Sequence, residues 1–154
     1  FCANKLGQYE LAIECSEKLL DTHPNVADAH LRRAEALMSL QRPDLVIQVL
    51  EPVVGHPDLH AFKTQTIRFT LPYRLACALY SVREYDKALA YFLPLAAFTT
   101  DETVFTHICL CALHLDEKEL ALESYQEGIK LAPDDPDWVK IRILIEQHGS
   151  TPQP

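Results

Sequence analysis

The sequence contains little glycine, few basic residues and no long apolar run, and each shortage argues against a class of protein. Only 4 of the 154 residues are glycine, and their spacing offers no loop of the kind that holds nucleotide phosphates. Lys and Arg number 14 against 22 Asp and Glu, so the net charge of −8 lacks the basic excess that nucleic acid binding requires. Apolar runs such as 93–98 are far shorter than the ~20 residues of a membrane span. Nucleic acid and membrane partners are therefore not expected.

The five cysteines do not fit the pattern of a secreted disulfide framework. Their number is odd and no two are spaced as Cys-x-x-Cys, which is typical of small buried thiols in a reducing compartment. We therefore predict a cytoplasmic or nuclear protein. The chain also opens without Met on the segment FCANKLGQY, which resembles the end of a helix and predicts that the sequence is part of a longer chain.

A pattern of apolar residues is repeated four times along the chain. When Ala12 is aligned with Val46, Ala88 and Ala121, the spacings are 34, 42 and 33 residues. Each of these positions follows a predicted turn and lies in a segment whose apolar residues recur with the period of an α-helix. Proline follows three of the copies, at positions 24, 57 and 133, because proline cannot continue a helix. The apolar face of the first copy is predicted to consist of Tyr9, Ala12, Ile13, Cys15, Ser16, Leu19 and Leu20.

A second helix is predicted ahead of these segments, so that helices come in pairs. The segments 27–40 and 102–115 both place apolar residues at helical spacing. One pair of this length cannot bury its apolar faces alone, but stacked pairs share a continuous core and curve into a superhelix with a concave face. The sequence therefore predicts an all-α stack of antiparallel helix pairs.

One further helix is predicted near the end of the sequence. Residues 134–138 supply an Asp cap and a proline near the first turn, and their acidic side chains suit the positive end of a helix dipole. Val139, Ile143 and Ile145 are its predicted apolar side. We expect this helix to cap the last pair, and we expect the tail 149–154 to be disordered.

These repeats resemble those of the tetratricopeptide repeat family. The family places a turn glycine, a second-helix aromatic, a close-contact small residue and a terminating proline at fixed positions. The matching residues are Gly7, Tyr9, Ala12 and Pro24 in the first copy, Tyr85, Ala88, Phe92 and Leu95 in the third, and Ala121, Tyr125, Gly128 and Pro133 in the fourth. The second copy departs from the pattern, since Pro43 stands at the aromatic position and Val46 at the alanine position.

The resemblance implies a right-handed superhelical solenoid that forms a single domain over 1–148. Its implied units are about 1–24, 25–57, 58–101 and 102–135, followed by the capping helix 136–148. The spacing of 42 residues predicts an insertion of roughly one or two helical turns within 56–72, where Pro72 should kink or break a longer helix.

In this family the first helix of each pair lines a concave face that binds partners. Carrying those positions over gives the predicted partner-binding residues Arg32, Glu35, Met38, Tyr73, Arg74, Cys77, Tyr80, His107, Leu110 and His114. A groove with Arg32 and Arg74 on an acidic protein suits a peptide with an acidic or C-terminal carboxylate segment. Alternatively, both arginines are solvated surface residues. The implied function is that of an adaptor or scaffold in a multiprotein complex, without a cofactor.

Two other interpretations remain open. His107, Cys111 and His114 fall at i, i+4 and i+7 of a predicted helix and share one face, as zinc ligands would, although a structural zinc site usually takes four ligands from separate elements. We predict no metal. No catalytic motif is present either, so no enzyme activity is predicted; the alternative function is a structural or regulatory repeat array of a larger enzyme, with no ligand of its own.

Overall fold

The computed structural model describes residues 2–56, 64 and 66–149, and within these ranges every regular element is a helix. The α-helices are α1 (Cys2–Thr22), α2 (Ala27–Ser39), α3 (Pro43–Leu50), α4 (Leu71–Ser81), α5 (Tyr85–Ala96), α6 (Glu102–His114), α7 (Lys118–Leu131) and α8 (Pro136–Gly149). A π-helical turn, Thr66–Thr70, leads into α4. The predicted all-α fold is thereby confirmed.

The turns that follow α2, α4 and α6 share one backbone feature. In each turn a non-glycine residue has a positive φ, which is 57° at Gln41, 66° at Arg83 and 60° at Asp116. After α6, the amide of Glu117 also donates to the carbonyl of Ala112 at 2.8 Å, as in a Schellman cap. The left-handed residues are separated by 42 and 33 positions, so the backbone repeats with the same spacing as the apolar pattern.

Contacts group the chain into two compact units, Phe1–Arg83 and Glu84–Pro154. In the first unit α1 packs against α2, α3 packs against α2 and α4, and the π-helical turn packs against α2 and α4. Its core is rich in alanine because small side chains let helices approach closely. The core side chains are Ala29, Ala34, Ala36, Leu37, Val46, Leu50, Leu71, Leu75, Ala76, Ala78 and Leu79.

In the second unit α6 packs against α5 and α7, and α8 packs against both α6 and α7. Ala88 and Ala121 are fully buried, as expected of the close-contact positions. Trp138 of α8 is 2% exposed and lies over Gly128 of α7, where a Cβ atom would overlap the indole ring. The predicted last helix therefore forms and covers the preceding pair.

The predicted apolar side of α8 is wrong in two of its three residues. Val139 is 54% exposed and Ile143 is 45% exposed, whereas Ile145 packs against the core. Trp138 and Ile141 are the buried residues instead. The physical reason is the space above the glycine of α7, because seating the large indole ring there fixes the rotation of α8 about its axis.

The predicted apolar face of α1 is too wide. Cys15 is exposed and Leu19 is 42% exposed, whereas Ser16 is buried and donates from its hydroxyl to the Ala12 carbonyl at 2.7 Å. Because α1 packs chiefly against α2, it buries a narrow stripe rather than the whole apolar face.

Residues 57–63 and 65 of the predicted insertion within 56–72, and most of the predicted tail, lie outside the described residues. The end of the insertion is described. Pro72 occupies the first turn of α4, directly after the π-helical turn, so the helix changes type beside this proline. The assignment of 1–148 to a single domain, with its unit boundaries, stays a prediction.

Candidate functional site

Helices α1, α2 and α4 of the first unit line a cavity of about 460 Å³. Both charged and apolar side chains line this cavity. Its lining consists of Tyr9, Ala12, Arg32, Glu35, Ala36, Met38, Ser39 and Arg74. Four of the predicted partner-binding residues, Arg32, Glu35, Met38 and Arg74, are therefore brought together here.

Helix α2 turns three polar residues toward the cavity because Ala34 and Leu37 occupy the core. Ala34 and Leu37 are buried in the core, which turns the face that carries Arg32, Glu35 and Ser39 away from it. These three positions are separated by three and four residues, so they lie above one another on one side of the helix. The hydroxyl of Ser39 donates to the backbone carbonyl of Glu35 at 2.9 Å and is used within the helix.

The charges of the cavity meet at Glu35. Its Oε1 accepts from Nη2 of Arg74 at 3.2 Å, across a sequence separation of 39 residues. Its Oε2 lies 3.6 Å from Nη1 of Arg32, one turn earlier on the same helix. Two cations therefore share one carboxylate, and the group as a whole carries a net positive charge at the edge of an apolar pocket.

Arg74 is held by this carboxylate on one nitrogen only. Its Nε is buried and has no acceptor among the described residues. The Nε and Nη2 groups of an arginine form one edge that donates two parallel hydrogen bonds to a single carboxylate. In the present arrangement one donor of that edge is used and the other is not.

The remaining predicted residues of α4 do not line the cavity. The ring of Tyr73 stacks on that of Phe69, with centroids 5.8 Å apart. Burial raises the pKa of the Cys77 thiol, while a hydrogen bond with Tyr73 and the charge of Arg74 act in the opposite direction. Tyr80 is half-buried. These side chains therefore continue the surface of α4 beyond the cavity.

The predicted residues of α6 lie in the second unit, where two of them contact α5. His114 stacks on Tyr85 with centroids 4.1 Å apart, and His107 stacks on Phe92 at 4.9 Å. Nδ1 of His107 also hydrogen bonds with the backbone carbonyl of residue 103 at 2.7 Å. Leu110 packs partly buried against the core of this unit. Both histidines thus take part in the packing of α5 on α6.

The three residues considered for zinc are in different environments. Cys111 is fully buried, whereas His114 is exposed and stacked on an aromatic ring. Among the residues that the structure describes, no group of three or more His, Cys, Asp or Glu side chains is arranged to hold a metal ion.

Four residues that line the cavity are not among the predicted partner-binding residues: Tyr9, Ala12, Ala36 and Ser39. Tyr9 and Ala12 were interpreted only as packing positions of the second helix, although both line the cavity. Ala36 is 4% exposed and forms part of the apolar lining. The aromatic at position 9 was the available signal, since tyrosine is favoured at interface centres.

One family model matches part of the chain. Residues 4–51, which span α1, α2 and α3, match the family model described as Tetratricopeptide repeat. The comparison with curated proteins gave no match. Among the described residues, no helix combines the length and the apolar character needed to cross a membrane.

Solved structures of the protein MamA have the same fold. One crystal structure of MamA matches with a TM-score of 0.79 at 20% identity and covers 93% of this chain and 74% of that chain. A second has a TM-score of 0.79 at 22% identity, with 93% and 80% covered. The MamA RS-1 ArsTM double mutant matches at 0.74 with 16% identity, with 93% and 86% covered. The family match over residues 4–51 and the similarity to these structures confirm the predicted fold of the tetratricopeptide repeat type.

Proposed function

We propose that the protein is an interaction module that binds a partner segment through the cavity of its first unit and acts as an adaptor or scaffold in a multiprotein complex. The tetratricopeptide repeat fold supports a role in protein interaction in general terms. The observation that carries the finer proposal is the convergence of Arg32 and Arg74, from two helices, on the single carboxylate of Glu35 beside an apolar pocket.

The chemistry of the cavity favours a ligand with a carboxylate next to an apolar group. Two arginines supply the donors that a carboxylate requires, and an arginine edge can bind it with two hydrogen bonds. Ala12, Ala36 and Met38 supply the apolar surface for a neighbouring side chain. A C-terminal carboxylate that follows an apolar residue, or an acidic side chain in an extended segment, has this combination.

The other predicted residues extend the proposal to further surfaces. Tyr73, Cys77 and Tyr80 would contact a ligand that continues along α4, and residues 107, 110 and 114 would contact a partner at α6. The cytoplasmic or nuclear location stays a prediction.

Binding to an array of peptides tests the proposal. Each peptide is presented with a free C-terminal carboxylate and again as the C-terminal amide. We expect the protein to retain a subset of the free carboxylates, and we expect Arg74→Ala to weaken that binding by roughly 10- to 100-fold, because a hydrogen bond to a charged group contributes about 1.5–3 kcal/mol.

Arg142→Ala is the matched control, because Arg142 pairs with Glu146 at 3.8 Å on the exposed side of α8 in the other unit. Its binding should equal that of the wild type. Equal retention of acids and amides, or equal binding by the Arg74→Ala variant, would contradict the proposal.

A further inference from the structure

We propose that Glu35 is an internal competitor of the ligand: its carboxylate occupies Arg74 in the free protein, and a partner carboxylate binds by displacing it. This inference rests on the function proposed above, and it adds how the site is regulated. It predicts that removing the charge of Glu35 strengthens binding, although Glu35 itself lines the site.

The distances from Glu35 to the two arginines indicate that another carboxylate can take its place. A strong hydrogen bond between a charged nitrogen and a carboxylate oxygen measures about 2.7–2.9 Å. The contact of Glu35 with Arg74 is longer, at 3.2 Å, and that with Arg32 is 3.6 Å. Each oxygen of the glutamate also meets a different arginine, so no carboxylate of the described residues lies along the two-donor edge of either arginine. A ligand carboxylate that bridges Nε and Nη2 of Arg74 satisfies both donors at once.

Because the ion pairs of Glu35 are partly exposed to solvent, breaking them costs little free energy. The side chains of Glu35 and Arg74 are 34% and 39% exposed, and that of Arg32 is 76% exposed. Ion pairs in such partly solvated positions are held weakly, because water screens the charges and competes for both partners. Once displaced, the Glu35 carboxylate can be hydrated on the open side of the cavity.

The same arrangement gives the site selectivity. A small anion gains little by replacing one carboxylate with another, whereas a ligand that also buries an apolar group against Ala12, Ala36 and Met38 gains additional free energy. Glu35 thus raises the threshold for binding and favours ligands that fill the whole cavity. Without it, the two arginines would attract any anion.

The test uses N-acetyl-leucine as a probe, because it combines a free carboxylate with an apolar side chain, and N-acetyl-leucinamide as its neutral counterpart. The dissociation constants of both are measured by titration of the whole ¹⁵N-labelled chain, with the Arg74 side-chain Nε–H signal as a readout. We expect Glu35→Gln to bind N-acetyl-leucine about three- to tenfold more tightly than the wild type. The gain is modest because the ion pairs that the ligand no longer has to break are weak and partly exposed. The affinity for the amide should not change.

Glu51→Gln is the matched control for net charge, because Glu51 is an exposed residue of the same unit just after α3 and does not line the cavity. It should leave both dissociation constants unchanged. If the wild type binds the acid and Glu35→Gln binds it equally or more weakly, Glu35 is not a competitor, and the proposed function stands. If neither protein binds the acid at Arg74, the inference is overturned together with the carboxylate specificity of the site.

Discussion

At the scale of single residues, the packing of α8 depends on Gly128. A Cβ atom at this position would overlap the indole ring of Trp138 and lie 3.2 Å from Cβ of Phe105. We expect Gly128→Ala to lower the free energy of unfolding by roughly 1–3 kcal/mol, because the added methyl group overpacks a rigid helix contact. Urea denaturation followed by circular dichroism measures the change.

Gly7 provides the control, because it also lies inside a helix but has open space around it, with no atom within 4 Å of an added Cβ. We expect Gly7→Ala to raise the free energy of unfolding by about 0.5–1 kcal/mol through its better helix propensity. Opposite signs of the two changes would establish that Gly128 is required by close packing. A stabilised Gly128→Ala variant would contradict that explanation.

At the scale of helices, a comparison of Ile141 with Ile143 distinguishes the observed apolar face of α8 from the predicted one. Ile141 is 3% exposed and belongs to the core, whereas Ile143 is 45% exposed. We expect Ile141→Ala to lower the free energy of unfolding by about 2–5 kcal/mol, through lost burial and a residual cavity. Ile143→Ala should change it by less than about 0.5 kcal/mol. Thermal denaturation of both variants measures the difference. A larger effect of Ile143→Ala than of Ile141→Ala would mean that α8 packs with the predicted face, and equal effects would contradict the observed one.

The existence of each helix could be predicted from sequence more securely than the direction in which it faces. The pattern of 102–115 predicted α6 to within one residue, because many apolar positions at helical spacing all agree. The pattern of α8 was ambiguous, because apolar residues occur on every side of the helix: Trp138, Val139, Ile141, Ile143, Leu144 and Ile145. The rotation of α8 about its axis is set by the space above the glycine of α7. The apolar pattern of α8 alone carries no information about that space.

At the scale of the whole molecule, the sequence predicted the repeat but only part of the site. The spacings of 42 and 33 residues between aligned positions recur in the backbone, because each turn needs the same left-handed residue. The ion pair between Glu35 and Arg74 could not be predicted in the same way, because the two residues lie on different helices and are 39 positions apart in the sequence. Family positions placed both residues on the binding face, but not in contact with each other.

Thiol reactivity tests the packing of the whole molecule under native conditions. The thiolate is the nucleophile, and burial raises the pKa of Cys109 to about 12. At pH 8 this thiol is therefore almost entirely protonated, and it is also inaccessible because Cys109 is fully buried. Cys15, by contrast, is exposed on α1. In a Cys2→Ser background, we expect an aromatic disulfide reagent to modify Cys15 within seconds to minutes, and Cys109 only as fast as the protein unfolds.

Mass spectrometry of digested samples assigns the modified cysteines, and Cys111, which is also fully buried, should follow Cys109. Adding urea should accelerate the modification of both buried thiols and leave the rate of Cys15 nearly unchanged, because its access does not require unfolding. Rapid modification of Cys109 in the absence of urea would show that the helices around it open without global unfolding, and that the core described for the second unit is not closed in solution.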